Sequence, residues 1–355
     1  MTAQSLWCSA GRLAVLGTGV ALPGEPVTTE TLLGRLGPLL GDRQRSVAHA
    51  LAERMGIVTR HVARPWRTRV EGPAPGCANP DLAAAATEAA LRHAGLSVHD
   101  LGYLIGHTAT PALPLPSNIA LVADQLGYAG PHVELRQACT GFANALMIAF
   151  GLLAQPGARP VAIVGSETGS LFFDPARLSE RPDQIVNLVQ MGDGAGAIIL
   201  GPAADGGDRL HGAWHGATGL GREPGLRMAA GGSDRPSSGD GPLLFDHDFA
   251  AIARSGPGLF KAGMAASPDL AATDADHVIP HQASGRIGDQ IARAFGLEKE
   301  RLFVNADRVG NTGSAAIWIA LAQLRARGVS SGSRTLALGA EATKYMHGGF
   351  VHVAG

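Results

Sequence analysis

The stretch that decides the fold of this chain is Gln137-Ala138-Cys139-Thr140-Gly141-Phe142-Ala143-Asn144-Ala145-Leu146. The residues just before it, Val133-Glu134-Leu135, are typical of a short strand, and the Ala/Leu/Met-rich residues after it are typical of a helix. The pattern therefore predicts a strand-to-helix junction at Cys139. The first amides of a helix are unpaired and its dipole is positive there, so both features favour the nucleophilic thiolate. The alternative is a buried structural cysteine.

Composition limits the classes of protein to which this chain can belong. Its 355 residues include 29 Lys and Arg and 30 Asp and Glu, so the net charge of −1 offers no general attraction for nucleic acid or anionic lipid. Three widely spaced cysteines do not form a disulfide framework and fit a reducing compartment. No apolar run approaches the length of a membrane span, and the first residues lack the pattern of a signal peptide. We expect a cytoplasmic protein without a membrane or nucleic-acid partner.

Short apolar runs that end in glycine recur along the chain, and strands of this kind are buried on both faces in α/β proteins. Helical patterns lie between them, such as the capped, alanine-rich segment from Asn79 to Gly95. The same rhythm returns after residue 208, which predicts two structurally similar halves. We place the half that contains the nucleophile at residues 1–204 and the other half at residues 205–355. The clearest strand candidates are residues 12–17, 101–106, 160–165, 195–201, 277–280 and 335–339.

Two further clusters carry side chains suited to catalysis. His281 follows an apolar strand and Pro280, which places it at the carboxyl end of a strand, where α/β folds gather their sites. Asn311 lies in a Gly-Asn-Thr-Gly turn before an apolar helix. Each feature alone has a structural alternative, because His281 could be a hydrogen-bonded core histidine and Asn311 could serve only as a turn residue.

Together the three clusters resemble the Cys-His-Asn triad of β-ketoacyl-[acyl-carrier-protein] synthase III enzymes, which belong to the thiolase-like superfamily. The order of Cys139, His281 and Asn311 along the chain and their spacing both fit. The resemblance covers nearly the whole chain and implies an α/β thiolase-like fold with duplicated βαβαβαββ halves in an αβαβα five-layer arrangement. Three more segments share it, namely residues 17–23, 55–61 and 192–197.

The resemblance implies a two-step reaction without a metal or redox cofactor. Cys139 takes an acyl group from a thioester, and backbone N–H groups of Cys139 and of Gly348, in the Gly-Gly-Phe sequence near the C-terminus, hold the oxyanion. A malonyl-type thioester then loses CO₂, and His281 and Asn311 donate hydrogen bonds to the enolate that attacks the acylated cysteine. The presence of both donors favours C–C bond formation over plain acyl transfer.

The chain departs from the family pattern in two informative places. The tryptophan that stacks on coenzyme A is absent before the Gly-Ile motif, and Trp66 lies after it instead, which favours delivery by an acyl carrier protein over coenzyme A. Leu115 stands where the family often has the phenylalanine that reaches across a dimer into the partner's acyl tunnel. A leucine leaves room for a longer or bulkier acyl chain and indicates specialised metabolism. We expect Leu115, Phe142 and Phe350 to line the tunnel.

Carrier proteins are acidic, so basic residues are expected near the mouth of the tunnel. The candidates are Arg254, Lys261, Arg286 and Arg293, and the alternative for each is an ordinary solvated position. We expect a homodimer, with a heterodimer as the alternative. Glu134 and His107 are interpreted as structural residues.

The leading hypothesis is a ketosynthase III-like condensing enzyme of polyketide or fatty-acid-derived secondary metabolism, whose product could cyclise to a pyrone or a resorcinol-type ring. An O- or N-acyltransferase on the same fold is the alternative, and so is one subunit of a heterodimeric ketosynthase. A cysteine protease also uses Cys, His and Asn in this order, but its Cys-Gly-Ser-Cys-Trp signature is absent.

Overall fold

The computed structural model describes residues 6–69, 71–204, 206–235, 244–268 and 270–355. A mixed sheet of nine strands runs through the molecule. Four further strands form two small sheets, in which β2 pairs with β3 and β9 with β10. The strands of all three sheets are β1 (Leu6–Ala21), β2 (Val27–Thr28), β3 (Thr59–Arg60), β4 (Tyr103–His107), β5 (His132–Leu135), β6 (Val161–Glu167), β7 (Gly194–Gly201), β8 (Arg209–Ala217), β9 (Leu226–Met228), β10 (Phe245–His247), β11 (His277–Pro280), β12 (Arg334–Glu341) and β13 (Met346–Val353).

The described residues form ten α-helices, which are α1 (Thr29–Arg35), α2 (Asp42–Met55), α3 (Asn79–Ala94), α4 (Asn118–Leu126), α5 (Gly141–Leu153), α6 (Ile185–Gln190), α7 (Phe249–Ala265), α8 (Ile287–Phe295), α9 (Ala306–Val309) and α10 (Ala316–Ala326). Six of these helices, namely α3, α4, α5, α7, α8 and α10, pack on the faces of the nine-stranded sheet. Within the described ranges, no helix combines the length and the apolar character that a bilayer span requires.

The sheet contains the predicted duplication. From the middle outward, one half has the order β1-β7-β6-β4-β5 and the other has β8-β13-β12-β11. In the first half, β7 is antiparallel to β1 and β6, and β6 is parallel to β4. In the second half, β13 is likewise antiparallel to β8 and β12, and β12 is parallel to β11. A parallel bridge from Val278 to Leu302 stands where the second half lacks a counterpart of β5. The division at residues 204 and 205 stays a prediction.

Three hydrophobic clusters define the five predicted layers. A central cluster unites α5 and α10 with strands of both halves, so these two helices lie between the halves. A second cluster packs α3 and α4 on the outer face of the first half. A third packs α7 and α8 on the outer face of the second half. The order of layers is therefore αβαβα, and the strand ends that precede α5 and α10 meet in the interior.

Local sequence explains the close packing of the first half. Helix α3 follows Ala78, whose N–H donates to Asp81, and ends at Gly95 in the left-handed conformation with φ of 67°. Its alanines lie so near β1 that a Cβ atom added at Gly19 would stand 2.2 Å from the carbonyl oxygen of Ala86. Glycine in β1 and alanine in α3 therefore allow helix and strand backbones to touch.

Candidate active site

One cavity of about 390 Å³ brings together the three residues predicted to be catalytic. Cys139 comes after β5, at the start of α5; His281 follows β11, and Asn311 precedes α10. All three line the same space, although they lie in both halves of the chain. They meet because the strand ends of the two halves converge at the layer that holds α5 and α10.

The surroundings of Cys139 differ from the expectation that the helix start would favour a thiolate. Burial raises the pKa of the Cys139 thiol well above its usual value, and the charges of Glu341 and Glu167 raise it further. The Oε2 atom of Glu341 accepts hydrogen bonds from the N–H and Oγ1 of Thr140, at 2.8 and 2.6 Å. A carboxylate thus occupies the helix start that would otherwise stabilise the thiolate, and the raised pKa favours the neutral thiol form of Cys139.

His281 is positioned by the sheet and is neutral near pH 7. The backbone N–H of His281 donates to the carbonyl of Leu338 at 2.6 Å, which continues the pairing of β11 with β12. Burial lowers the pKa of His281 to about 4. Its Nδ1 is buried and has no hydrogen-bond partner in the described part of the chain. A neutral imidazole carries one N–H, so His281 can donate a hydrogen bond to a substrate oxygen.

Asn311 is held at both its backbone and its side chain. Its N–H donates to the carbonyl of Gln190 at 2.7 Å, and its own carbonyl accepts from Gly192 at 3.1 Å. The side-chain Oδ1 accepts from the N–H of Gly313 at 3.1 Å. Because Oδ1 is engaged, the Nδ2 end of the amide is the one available to a substrate.

Glu167 fixes the segment that follows Asn311, and sequence reasoning missed it. It is buried at the end of β6, where its Oε1 accepts from the N–H and Oγ of Ser314 at 3.3 and 2.5 Å. Thr110 Oγ1 donates to Oε2 at 2.5 Å, and the N–H of Ala109 donates to Oε1 at 3.1 Å. Burial raises the pKa of this carboxyl. An acidic residue at the end of an apolar strand was the available signal.

The rest of the cavity wall is mostly apolar and was not predicted either. Its exceptions include Gln190 and His247. Burial lowers the pKa of His247 to about 4, and its ring stacks on Phe249 with centroids 4.9 Å apart. No local pattern marks His247, because β9 and β10 bring it to the cavity only in the folded chain.

Gly348 is not placed to form an oxyanion hole, which corrects the prediction made from the Gly-Gly-Phe sequence. It is the third residue of β13, paired with Gly339 on one side and with His215 on the other. The turn between β12 and β13 comes earlier, and residues 340–343 and Tyr345 line the cavity instead. The resemblance predicts a loop at this glycine pair, whereas Gly348 and Gly349 lie inside a strand.

The predicted tunnel residues do not line this cavity. Phe142 and Phe350 are fully buried, with ring centroids 5.7 Å apart, and both contact Trp318 in the central core. They belong to α5 and β13 and are part of the central hydrophobic cluster. Leu115 lies between β4 and α4 with 86% of its surface exposed. Its predicted role across a dimer stays a prediction.

The predicted basic residues lie on the two helices that wall the cavity or just before one of them. Arg254 and Lys261 are on α7, Arg293 is on α8, and Arg286 precedes α8; all are exposed. The Arg286 Nη2 donates to the carbonyl of Glu53 at 3.1 Å. Within the described ranges, no acidic side chain pairs with Arg254 or Lys261. Their contact with a carrier protein stays a prediction.

Arg222 is a further cation beside the cavity that the sequence did not reveal. Its guanidinium lies 3.5 Å from the ring centroid of Tyr345, and Nη2 donates to Ser255 Oγ at 2.7 Å. Tyr345 and Ser255 both line the cavity. Arg222 therefore connects the loop after β8 to α7 beside the cavity.

Three residues interpreted from sequence have structural surroundings. Trp66 is only 2% exposed and packs edge-on against Phe173, so it cannot stack on a ligand at the surface. Glu134 accepts from the N–H of Ile119 at the start of α4. His107 is fully buried, and its Nε2 accepts from Trp318 Nε1 at 2.9 Å. Glu134 and His107 are structural, as predicted.

Comparison with known proteins identifies relatives over nearly the whole chain. The family described as 3-oxoacyl-[acyl-carrier-protein (ACP)] synthase III matches residues 133–219, and its C-terminal part matches residues 265–351. The 3-oxopimeloyl-[acyl-carrier-protein] synthase of Rhodothermus marinus is 34% identical, over 88% of this chain and 86% of the relative. The β-ketoacyl-[acyl-carrier-protein] synthase III of Rhodospirillum centenum is 30% identical, over 88% of this chain and 90% of the relative.

Solved structures agree with this assignment. AbyA1, described as a tetronic acid condensing enzyme, has a TM-score of 0.83 and 29% identity, covering 96% of this chain and all of its own. The 3-oxoacyl-(acyl carrier protein) synthase III of Pseudomonas aeruginosa has a TM-score of 0.77 and 26% identity, covering 97% of this chain and 98% of its own. The chain is a condensing acyltransferase with a thiolase-like fold, and it belongs to the β-ketoacyl-[acyl-carrier-protein] synthase III family.

Proposed function

We propose that the enzyme carries an acyl group on Cys139 and joins it to a malonyl- or β-ketoacyl-thioester delivered by an acyl carrier protein. The observation that carries this proposal is the convergence of Cys139, His281 and Asn311 on one cavity. A nucleophile and two hydrogen-bond donors in one space are the groups that acylation and enolate stabilisation require. The reaction needs no metal or redox cofactor.

The first step moves the acyl group to the enzyme. The sulfur of Cys139 attacks the thioester carbonyl, the new S–C bond forms, and the carrier thiol leaves with the proton that Cys139 gives up. Because the Cys139 pKa is raised, the thiol must be deprotonated as it attacks. His281 is neutral and lines the same cavity, so its unprotonated ring nitrogen is available to accept that proton as the S–C bond forms.

The second step forms the C–C bond. Loss of CO₂ from a malonyl-thioester leaves an enolate whose oxygen accepts hydrogen bonds from His281 and from Nδ2 of Asn311. The enolate carbon attacks the acyl carbonyl, the C–S bond breaks, and Cys139 takes up a proton. These donors act most strongly on the charge that develops in the transition state, and this lowers the barrier.

The product is proposed to cyclise. A tetronic acid ring contains a newly formed C–C bond and a ring ester, and the solved neighbour AbyA1 is described as a tetronic acid condensing enzyme. Its similarity supports a role in specialised metabolism and a ring-forming condensation. A pyrone or a resorcinol-type ring also begins with C–C bond formation. O-acyl transfer, the alternative hypothesis, would supply the ester of a tetronic acid ring.

The partners are proposed to be an acyl carrier protein and a second copy of the chain. Trp66 is buried, whereas the basic residues on α7 and α8 remain exposed for an acidic carrier. Strand β5 is at the end of the sheet order, and Leu113 and Leu115 expose 45% and 86% of their surfaces. An open sheet edge beside exposed leucines favours association between copies.

The test combines intact-mass analysis with product analysis. Incubation with acyl-thioesters should add one acyl mass to the wild-type protein and to Cys77→Ala, which alters another free cysteine, but not to Cys139→Ala. Addition of malonyl- or β-ketoacyl-carrier protein should then discharge Cys139 and yield a C–C linked product. Transfer to an alcohol or amine without a new C–C bond would contradict the condensation and support the acyltransferase.

A further inference from the structure

We propose that Glu341 and Thr343 recognise a hydroxyl group on the acyl chain that Cys139 carries, so that hydroxyacyl thioesters are the preferred substrates. This role rests on the proposed function, because it names the class of acyl group that enters that reaction. Glu341 is the last residue of β12 and Thr343 lies in the turn that follows it. Both residues line the cavity that contains Cys139.

The glutamate at the equivalent position of the first half shows a carboxylate whose hydrogen bonds are complete. An ionised carboxylate offers about four acceptor positions on its two oxygens. Glu167 fills them with the N–H and Oγ of Ser314, the N–H of Ala109 and the Oγ1 of Thr110. It does not line the cavity, so it has neither a free acceptor position nor access to a ligand.

Glu341 has one acceptor position left. Its Oε2 accepts from the N–H and Oγ1 of Thr140 at 2.8 and 2.6 Å, whereas Oε1 accepts only from Oγ1 of Thr343. Across the described ranges of the chain, no Arg, Lys or His side chain pairs with this carboxylate. Glu341 is only 1% exposed, so the cavity is the side from which a further donor can reach Oε1.

Thr343 adds a second acceptor beside the first. Its hydroxyl hydrogen is used in the bond to Glu341, so its lone pairs are what Oγ1 can offer to a ligand. No other group in the described part of the chain donates to this oxygen. The pair of side chains therefore presents acceptors only, and it selects a substrate group that donates a hydrogen bond.

A hydroxyl group is the donor that suits this wall best. A plain alkyl chain would leave a buried acceptor of Glu341 unpaired, and a carboxylate on the chain would be repelled by it. An ammonium group would lose far more hydration than a hydroxyl on entering a cavity whose remaining wall is mostly apolar. A hydroxyl on the acyl chain also supplies the oxygen that the ring ester proposed above requires.

The hydroxyl belongs close to the thioester carbonyl. Burial raises the pKa of the Cys139 thiol most, and the charge of Glu341 is the next cause, so this carboxylate lies near the sulfur. Glu341 also holds Thr140, the residue that follows the nucleophile. A hydroxyl on the second or third carbon of the acyl group is therefore the one within reach.

The experiment measures kcat/KM for formation of acyl-Cys139 from thioesters of N-acetylcysteamine. The probes are the butanoyl, 2-hydroxybutanoyl, 3-hydroxybutanoyl and 3-aminobutanoyl thioesters. A hydrogen bond to a charged group contributes about 10- to 100-fold. We expect the better of the two hydroxy isomers to exceed butanoyl by at least about tenfold in the wild type.

Variants are compared by the ratio of the hydroxybutanoyl to the butanoyl value, because the ratio cancels any change in the reactivity of Cys139. It should fall close to one in Glu341→Gln, whose amide NH₂ replaces the open acceptor. It should fall at least about threefold in Thr343→Val and stay at the wild-type value in Thr343→Ser, which keeps the hydroxyl. Ser255→Ala removes a hydroxyl from another wall of the cavity and should also keep the wild-type ratio.

Three results would overturn the role of this pair. One is an equal value for butanoyl and both hydroxybutanoyl thioesters in the wild type. Another is a preference that persists in Glu341→Gln and Thr343→Val, which would place the hydroxyl elsewhere. The third is a higher value for 3-aminobutanoyl than for either hydroxy substrate, which would assign the site to an ammonium group.

A binding measurement separates this role from the proposed function, because it needs no acyl transfer. One of the 2- and 3-hydroxybutanamides should slow the alkylation of Cys139 by iodoacetamide at concentrations at least about tenfold lower than butanamide does. The difference should vanish in Glu341→Gln. Such a difference without acyl-Cys139 or a condensation product would contradict the proposed function and leave the hydroxyl site intact. Equal protection by the three amides would contradict the hydroxyl site.

Discussion

The two helix starts that border the candidate active site are built in the same way, but the carboxylates beside them have different surroundings. Strands β6 and β12 occupy equivalent positions in the two halves, and each ends in a glutamate, Glu167 or Glu341. Glu167 accepts from the N–H and Oγ of Ser314, beside α10 of the second half. Glu341 accepts from the N–H and Oγ1 of Thr140, beside α5 of the first half.

Each carboxylate therefore accepts hydrogen bonds from a residue of the other half, yet the surroundings of the two carboxylates differ. Glu167 is enclosed by donors from both halves and does not line the cavity. Glu341 lines the cavity and is the larger of the two charges that raise the pKa of Cys139. Glu167 thus only holds the segment that follows Asn311. Glu341 holds Thr140 in the same way and also raises the pKa of Cys139.

The largest expected effect separates the two helix starts by reaction step. Asn311→Ala should lower condensation about 100- to 1000-fold, because it removes a donor to the enolate. Acylation should remain near the wild-type rate, since that step uses Cys139. Rapid-quench intact-mass spectrometry would measure the rate at which acyl-Cys139 forms, and quantification of the product would measure condensation. An equal loss in acylation would show that the halves do not divide the reaction in this way.

The next effect concerns Glu167, which holds the segment that follows Asn311. Glu167→Ala leaves the hydroxyls of Thr110 and Ser314, the buried N–H of Ser314 and the partly buried N–H of Ala109 without their acceptor. The free energy of unfolding should therefore fall by about 3 kcal/mol. Urea unfolding would measure it. Glu88→Ala, on the exposed side of α3, is the control and should change stability by less than about 0.5 kcal/mol. A fall of similar size in the free energy of unfolding of both variants would contradict the stabilising role of Glu167.

The third effect tests how the negative charge of Glu341 acts on the Cys139 thiol. Glu341→Gln keeps an acceptor for Thr140 but removes a negative charge, so the pKa of the Cys139 thiol should fall and more thiolate should form at pH 8. We expect iodoacetamide to alkylate Cys139 about tenfold faster, which corresponds to one pKa unit. The pH profile of alkylation should shift to lower pH by the same amount. A profile identical to that of the wild type would show that Glu341 is only structural.

The smallest effect compares the outer helices of the two halves. Reversing the charges of Arg254 and Lys261 on α7 should raise KM for an acyl carrier protein about threefold to tenfold, and added salt should reduce the difference. Arg92→Glu on α3, the equivalent helix, should leave KM unchanged. Acyl transfer from an N-acetylcysteamine thioester would confirm an intact site. An equal effect of the α3 substitution would argue against carrier contact through α7.

Much of the fold, and the positions of the three proposed catalytic residues at element ends, were predictable from local sequence. Buried strands, the capped start of α3 and the strand-to-helix junction at Cys139 are patterns of neighbouring residues. His281 and Asn311 each follow from the same logic, since they lie between a strand or turn and the next helix. These signals are local because propensity, capping and burial act over one element at a time.

Other parts depended on how distant strands meet. The prediction for Gly348 is wrong because a glycine pair alone does not reveal whether it lies in a turn or inside a strand. Only the pairing of β13 with β8 and β12 decides this. The same holds for the tuning of Cys139 by Glu341, which lies in the other half of the chain. The sequence by itself predicted the order of the layers and the three residues that are proposed to react. The tertiary structure alone decided the electrostatics of the thiol and the opening between α7 and α8, because both arise from contacts between elements far apart along the chain.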